Sequence, residues 1–275
     1  MILLATVTAM TIKSFQRLAD LLLKEYVLAD SVIPYTSIIT GIVACKLVYE
    51  LTHMVSVVFF KAYSSLPKVL RVEWKNRGMS TVHSIYITIV ALYFVFGSDL
   101  YSDRQPGLVT FRNSPISTFS LGVSVGYFIA DLGMIFWFYP SLGGLEYVVH
   151  HLLSLVSLSF AMLTGEGQLY TYMVLISETT TPGVNMRWYL DTAGLKKSKA
   201  YVVNGIVMFF VWLVARILLF MYFFYHLYTH YDQVKELQAF GKALVFVVPY
   251  VLAVMNAVWF AKIVKGMMKT LAKKE

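Results

Sequence analysis

The 275-residue sequence is poor in charged residues and has a single cysteine. Only 14% of its residues are charged and 58% are hydrophobic, whereas soluble domains carry about a quarter charged residues. This balance excludes an ordinary soluble domain and favours a polytopic membrane protein folded as one helical bundle. The cysteine, Cys45, lies within an apolar run, so an intrachain disulfide is excluded. No linker rich in proline, glycine or serine divides the chain, and no internal repeat is visible.

Apolar runs recur along the chain at lengths close to the roughly 20 residues that a bilayer requires. We therefore predict an all-α fold with about seven transmembrane helices. The fifth span is polar because it contains Glu178, neighbouring threonines and Asn185, so it could be shielded from lipid or re-entrant. The predicted spans are residues 34–60, 79–97, 115–139, 145–164, 168–188, 200–227 and 243–266.

Positive charge between the spans predicts their orientation. The segments after the first and fifth spans and the C-terminal tail are basic, whereas those after the second and sixth spans are balanced. Since cytosolic segments carry an excess of Lys and Arg, seven spans place the N-terminus in the lumen and the tail in the cytosol. The net charge of +8 is then an orientation signal, and we expect no nucleic acid partner.

The charge pattern also divides the chain. We predict that residues 1–33 form an amphipathic interfacial segment, that residues 34–266 form the membrane domain, and that residues 267–275 form a basic cytosolic tail. The final residues approximate a dilysine retrieval signal with one lysine displaced. This mismatch does not separate the endoplasmic reticulum from the Golgi; the endoplasmic reticulum is the expected location, with the Golgi or another internal membrane as the alternative.

Several ionisable side chains lie inside the predicted spans, where such groups persist only if they face protein or water. Counted from the cytosolic ends at about 1.5 Å per residue, five helices place them in one layer, roughly 6–15 Å deep. Because the depths agree, we predict that Asp131, Glu178 and the adjacent histidines line one pocket. The residues in the layer are His53, His83, Asp131, His150, His151 and Glu178.

Two further features bear on this pocket. Pro182 lacks an N–H and crowds the carbonyl of Glu178, which predicts a kink that makes the fifth span a pocket wall. Arg216, counted to lie nearer the lumen, is predicted to be structural and to pair with Asn204 or Asn256. His226 and His230 have a spacing that could hold a metal, but they stand among interfacial aromatic residues, so we predict no metal site.

The string EYVVHHLLSLVSLSFAMLTGEGQLYTYMVLISETTTPGVNMR, residues 146–187, resembles the core of the TLC domain shared by ceramide synthases, TRAM proteins and neuronal-lipofuscinosis-type proteins. Upstream, Trp74, Arg77, Ser80 and His83 in EWKNRGMSTVH resemble the entrance motif of the non-synthase members. The resemblance covers about residues 34–266. It implies a ring of helices around a central tunnel.

Ceramide synthases resemble this chain at His150 and His151, the pair implicated there in transferring an acyl group from acyl-CoA to a sphingoid amine. Their motif continues with two acidic residues on the next helix. Glu178 matches the first, whereas Thr181, which cannot ionise, stands at the second, and the homeobox-like insert is missing. The chain therefore resembles the non-synthase transmembrane subgroup, which implies a role in lipid homeostasis.

Two functions remain open. In the first, one histidine acts as nucleophile or base in acyl transfer from acyl-CoA to a membrane lipid, without a cofactor, and an acidic neighbour stabilises its imidazolium. In the second, the protein is a non-catalytic lipid sensor, chaperone or exchanger. A receptor is disfavoured because the polar cluster faces the cytosol, and the oligomeric state stays open. The predicted catalytic residues are Asp131, His150, His151 and Glu178, and the predicted substrate-binding residues are Arg77, His83, Asn185 and Arg187.

Overall fold

The computed structural model describes residues 16–18, 20–21, 28 and 31–271, with side chains through residue 268. Every regular element in these ranges is helical, which confirms the predicted all-α fold. The interfacial segment predicted for residues 1–33 lies largely outside the described residues. The last helix continues through Leu271, into the basic tail predicted for residues 267–275, and the rest of that tail lies outside the described residues. Both segments stay predictions.

The bounds of the helices follow the apolar runs closely. The α-helices in the described ranges are α1 (Ile33–Phe59), α2 (Lys61–Ser65), α3 (Lys68–Leu92), α4 (Pro115–Trp137), α5 (Leu145–Thr164), α6 (Gln168–Leu175), α7 (Thr181–Thr192), α8 (Lys199–Trp212), α9 (Leu219–Thr229), α10 (Tyr231–Val234) and α11 (Ala239–Leu271). Two π-helical segments, Tyr93–Gly97 and Leu213–Leu218, extend α3 and join α8 to α9. The 3₁₀ turns are Asp99–Tyr101, Val109–Phe111 and Ile176–Thr180.

Six of the helical stretches in the described part of the chain are long and apolar enough to cross a membrane. They correspond to every predicted span except the fifth. The second begins at Lys68 instead of residue 79, because α3 continues through the basic segment that was expected to be a loop. The six stretches are Ile33–Phe59, Lys68–Gly97, Pro115–Trp137, Leu145–Thr164, Lys199–Thr229 and Ala239–Met268.

The predicted fifth span is helical from Gln168 to Thr192, but the 3₁₀ turn Ile176–Thr180 divides it into α6 and α7. Pro182 follows this turn in the first turn of α7, where its missing N–H is tolerated. The Thr181 N–H instead bonds the carbonyl of Glu178. The kink expected at Pro182 is therefore a short 3₁₀ turn before it. The Glu178 carbonyl, which the proline would leave unpaired, accepts a hydrogen bond.

The long helices close a ring. α1 packs on α4, α4 on α5, α5 on α11 and α11 on α8. α8 packs on α7, α7 on α3 and α3 on α1, which completes the circle. A cavity can therefore lie at the centre with walls from most of the helices.

The tightest approach in this ring is between α1 and α4, and glycine makes it possible. A Cβ on Gly41 would lie 2.2 Å from the backbone oxygen of Val123, and one on Gly126 would lie 2.3 Å from that of Ile38. Ser37, also at this interface and fully buried, donates its hydroxyl to the carbonyl of its own helix at Ile33. Small residues let membrane helices approach closely and pack without lipid between them.

Candidate functional site

A cavity of about 310 Å³ lies inside the ring, with walls from α3, α4, α5, the divided fifth span, α8, the π segment after it, and α11. It collects residues that are far apart in sequence. Seven of the eight predicted site residues line it: Arg77, Asp131, His150, His151, Glu178, Asn185 and Arg187.

His83 is the eighth predicted site residue, and it lies behind the cavity wall. Its ring stacks on that of Tyr127 with 3.7 Å between centroids, and its Nε2 is 3.1 Å from the hydroxyl of Ser124. Tyr127 lines the cavity and separates His83 from it. His83 therefore supports the wall from behind.

His53, placed in the same layer by its depth, also lies outside the cavity lining. Its Nδ1 is 2.7 Å from the hydroxyl of Tyr63. Burial raises the pKa of Tyr63, so the phenol stays protonated. The contact ties α1 to the short helix α2.

His151 and Asp131 form a buried pair at the cavity wall. The Nε2 of His151 is 2.7 Å from Oδ2 of Asp131, and its Nδ1 is 2.8 Å from the carbonyl oxygen of Tyr147. Asn76 and Tyr127 donate further hydrogen bonds to the same carboxylate. A carbonyl only accepts, so Nδ1 carries a proton, and a second proton lies between Nε2 and the carboxylate. Both nitrogens of His151 are therefore occupied.

His150 differs from its neighbour because its imidazole is unoccupied. Its ring lies 5.4 Å from that of His151 and 6.1 Å from that of Trp259, measured between centroids. Within the described part of the chain neither ring nitrogen of His150 has a hydrogen-bond partner, although Nδ1 is buried. Buried polar atoms are nearly always paired. His150 is therefore the imidazole that is available to a ligand.

Arg216, predicted to be structural, lines the same cavity. Its Nε donates to the carbonyl of Ser177 at 3.2 Å and to the hydroxyl of Thr180 at 2.8 Å. Its Nη1 donates to Oδ1 of Asn256 at 3.0 Å, and its Nη2 lies 3.8 Å from Oε1 of Glu178. One of the two predicted partners, Asn256, is therefore present, but the guanidinium belongs to the polar site.

The local structure explains this position. Arg216 lies in the π segment Leu213–Leu218, and such segments are frequent at functional sites. The other predicted partner, Asn204, donates instead to the carbonyl of Gly183 at 2.9 Å. The sequence contained one usable signal, an arginine inside an apolar span, which indicates a functional position by default.

Glu178 makes its contacts with Thr181 and Arg216, away from the two imidazoles. Its Oε2 accepts a 2.8 Å hydrogen bond from the hydroxyl of Thr181, the residue at the second acidic position of the synthase motif. Its Oε1 faces Arg216. Among the described residues Glu178 makes no hydrogen bond to either imidazole, so Asp131 is the carboxylate that orients the histidine pair.

Arg77 and Asn185 clamp α3 to α7. The Arg77 guanidinium donates to Glu73 at 3.0 and 2.7 Å and to Oδ1 of Asn185 at 3.0 Å, and it lies 4.7 Å over the ring of Trp188. The Asn185 amide donates back to the Arg77 carbonyl at 3.1 Å and to Thr81 at 2.9 Å. These groups satisfy one another and fix the shape of the wall.

The fold and the cavity together define a polytopic helical membrane protein with a polar interior site. The family model of the TLC domain matches residues 73–265, so the chain belongs to the TLC domain family. No solved structure matches the chain.

Three relatives illustrate this membership. TLC domain-containing protein 4 of Homo sapiens is 28% identical over 230 residues, which cover 82% of this chain and 86% of the human protein. TLC domain-containing protein 4-B of Xenopus laevis is 27% identical over 206 residues, which cover 73% and 76%. Topoisomerase I damage affected protein 4 of Saccharomyces cerevisiae is 28% identical over 224 residues, which cover 79% and 77%.

Proposed function

We propose that the protein transfers an acyl group from acyl-CoA to a membrane lipid and so acts in lipid homeostasis. The observation that carries this proposal is His150, an imidazole that has no hydrogen-bond partner among the described residues and lines the cavity beside a His–Asp pair. Membership of the TLC domain family supports a lipid substrate.

His150 takes a proton in the proposed reaction. A hydroxyl or amine of the acceptor lipid attacks the thioester carbonyl while a ring nitrogen of His150 removes the proton from the attacking group. The carbon–sulfur bond then breaks, and the imidazolium returns the proton to the leaving thiolate of CoA. General acid–base help of this kind contributes about 10²–10⁴-fold to a rate.

The neighbouring groups suit this chemistry. Asp131 fixes His151 through a 2.7 Å contact, and the ring of His151 lies next to that of His150. Arg216 adds a fixed positive charge to the cavity wall, and preorganised donors stabilise an oxyanion in a water-poor site. Asp131, His151 and Arg216 therefore act as positioning and electrostatic residues in the proposal.

The expected compartment is the membrane of the endoplasmic reticulum. The basic segments predict that the cavity mouth faces the cytosol, where acyl-CoA is soluble. The Golgi or another internal membrane is the alternative.

A lipid-binding protein without catalysis is the second candidate. One observation favours it: Glu178 is engaged by Thr181 and Arg216, so the acidic motif of the synthases is incomplete and does not reach the histidines. Such a protein would use the same cavity to hold a lipid.

The two candidates are separated by one assay. Purified protein in lipid nanodiscs is incubated with labelled acyl-CoA and a panel of lipid amines, alcohols and lysolipids, and products are identified by mass spectrometry. We expect one labelled lipid product from the wild type and none from the variant with His150→Ala and His151→Ala. Equal product from both proteins would refute the catalytic assignment, whereas a co-purified lipid without product on any acceptor favours the binder.

A further inference from the structure

We propose that an anionic lipid headgroup binds between Arg187 and Lys262, and that this lipid reaches the cavity sideways between α8 and α11. The inference rests on the proposed function, because it names the acceptor as a lysophospholipid whose phosphate headgroup carries net negative charge. The geometry that supports it lies at the junction of two cavities.

A second cavity, of about 280 Å³, adjoins the first and shares lining residues with it. Most of its other walls are apolar side chains of α8 and α11, which suits alkyl chains better than a polar ligand. The shared residues are Arg187, Met208, Lys262 and Ile263, and those of the second cavity alone are Tyr201, Val202, Gly205, Ile206, Gly266 and Met267.

The second cavity lies between α8 and α11, toward the start of α8. Phe209 and Phe260 stack with 5.3 Å between ring centroids and close the contact deeper in the bundle. Toward the start of α8 the cavity is bordered instead by Gly205 and Gly266. A Cβ built on Gly266 meets no atom of the described residues within 4 Å. The opening lies within about 3–11 Å of the start of α8, which is the depth of lipid headgroups at the predicted cytosolic face.

Charge distribution explains why this junction attracts an anion. The acidic residues of the first cavity already face cationic partners: Glu73 pairs with Arg77, Asp131 with His151, and Glu178 faces Arg216. The cations that remain lie where the two cavities meet.

Arg187 and Lys262 are these remaining cations. Within the described part of the chain neither makes an ion pair or a side-chain hydrogen bond, and the Arg187 guanidinium lies 4.1 Å over the ring of Tyr201. Arg187 is half-buried, whereas Lys262 is exposed. Two cations without acidic partners at one junction form a site for phosphate, which arginine binds through paired donors and lysine through a point charge.

A lysophospholipid satisfies both parts of this site. Its phosphate contacts Arg187 and Lys262, its chain lies against the apolar walls between α8 and α11, and its free hydroxyl extends into the first cavity toward His150. CoA carries phosphates too, but it has no need of an apolar sideways opening between two helices.

The test measures lipid binding separately from acyl transfer. Wild type, Arg187→Gln and Lys262→Gln are placed in nanodiscs of neutral lipid, and the affinity for lysophosphatidic acid, lysophosphatidylcholine and CoA is measured for each. Lys265→Gln is the matched control, since Lys265 is an exposed lysine on the same helix that lines neither cavity. We expect each test variant to weaken lysophosphatidic acid binding about tenfold or more, with a smaller loss for lysophosphatidylcholine and no loss in the control.

A second variant tests the sideways route. Gly266→Leu fills the open space beside the glycine, so we expect it to weaken lysolipid binding and to leave CoA binding unchanged. Unchanged lysophosphatidic acid affinity in both charge variants, or a loss confined to CoA, would overturn the inference. Lipid binding that depends on Arg187 and Lys262 without any acyl transfer would support it and refute the proposed catalysis.

Discussion

Replacing Asp131 by Asn tests the buried pair at the centre of the site. Asp131 is only 4% exposed and accepts hydrogen bonds from Asn76, Tyr127 and His151. Asparagine keeps the shape but has one acceptor oxygen in place of two and no charge. At least one of the three donors then loses its acceptor, and the proton shared with His151 loses its ionic partner.

The structure indicates a large loss of stability. Removing one partner of a buried ion pair typically costs about 3–5 kcal/mol. Each kcal/mol lowers the unfolding midpoint by roughly 2–4 °C in domains of comparable length. We therefore expect Asp131→Asn to lower the thermal unfolding midpoint by roughly 6–20 °C.

A double-mutant cycle makes the test specific. Unfolding midpoints are measured in one detergent for wild type, Asp131→Asn, His151→Gln and the double variant. Because the two side chains are in contact, their costs should not add, with a coupling of about 1 kcal/mol or more. Glu50→Gln, which breaks an exposed ion pair with Lys46, is the control and should leave the midpoint unchanged. Additive effects, or a shift below about 2 °C for Asp131→Asn, would refute the reasoning.

Three further outcomes are expected. Gly126→Ala should cost about 1–3 kcal/mol of stability through overpacking, because the new Cβ meets a backbone oxygen at 2.3 Å. Gly133→Ala is the control and should not destabilise, because its Cβ meets no described atom within 4 Å. Equal unfolding midpoints for the two variants would contradict the tight contact of α1 with α4. Glu178→Gln should lower stability by about 1–3 kcal/mol, since it leaves Arg216 facing a neutral group, and a rise in the midpoint would show that the carboxylate is not paired. Protease protection of tags should place the two termini on opposite sides of the membrane, and tags on one side would require an even number of spans.

Hydropathy and helix rise predicted much of this arrangement. Long apolar runs define most spans because a membrane helix must bury its whole backbone in hydrocarbon. The common depth of Asp131, His150 and His151 indicated one layer, and the structure places all three at one cavity. Counting residues from the cytosolic end of each helix gives the depth of a side chain in the membrane, so residues on different helices can be assigned to one layer from the sequence.

Depth alone does not predict which way a side chain points. The differences between the predicted and the observed site arise from this direction. His83 has a suitable depth, but Tyr127 covers its ring. Arg216 was counted into the lumenal half, because counting along a straight helix ignores tilt, the π segment and the reach of a long side chain. Lys262 lines both cavities, and its depth near the end of the last helix did not indicate this.

The proposed role of His150 is tested most directly by the acyl transfer rate of His150→Ala, measured with and without added imidazole. If His150 takes the proton, the rate should fall about 10²–10⁴-fold, and free imidazole entering the vacated space should restore part of it. His226→Ala, at a histidine that does not line the cavity, should keep the wild-type rate. A His150→Ala protein that transfers acyl groups as fast as the wild type would contradict the account.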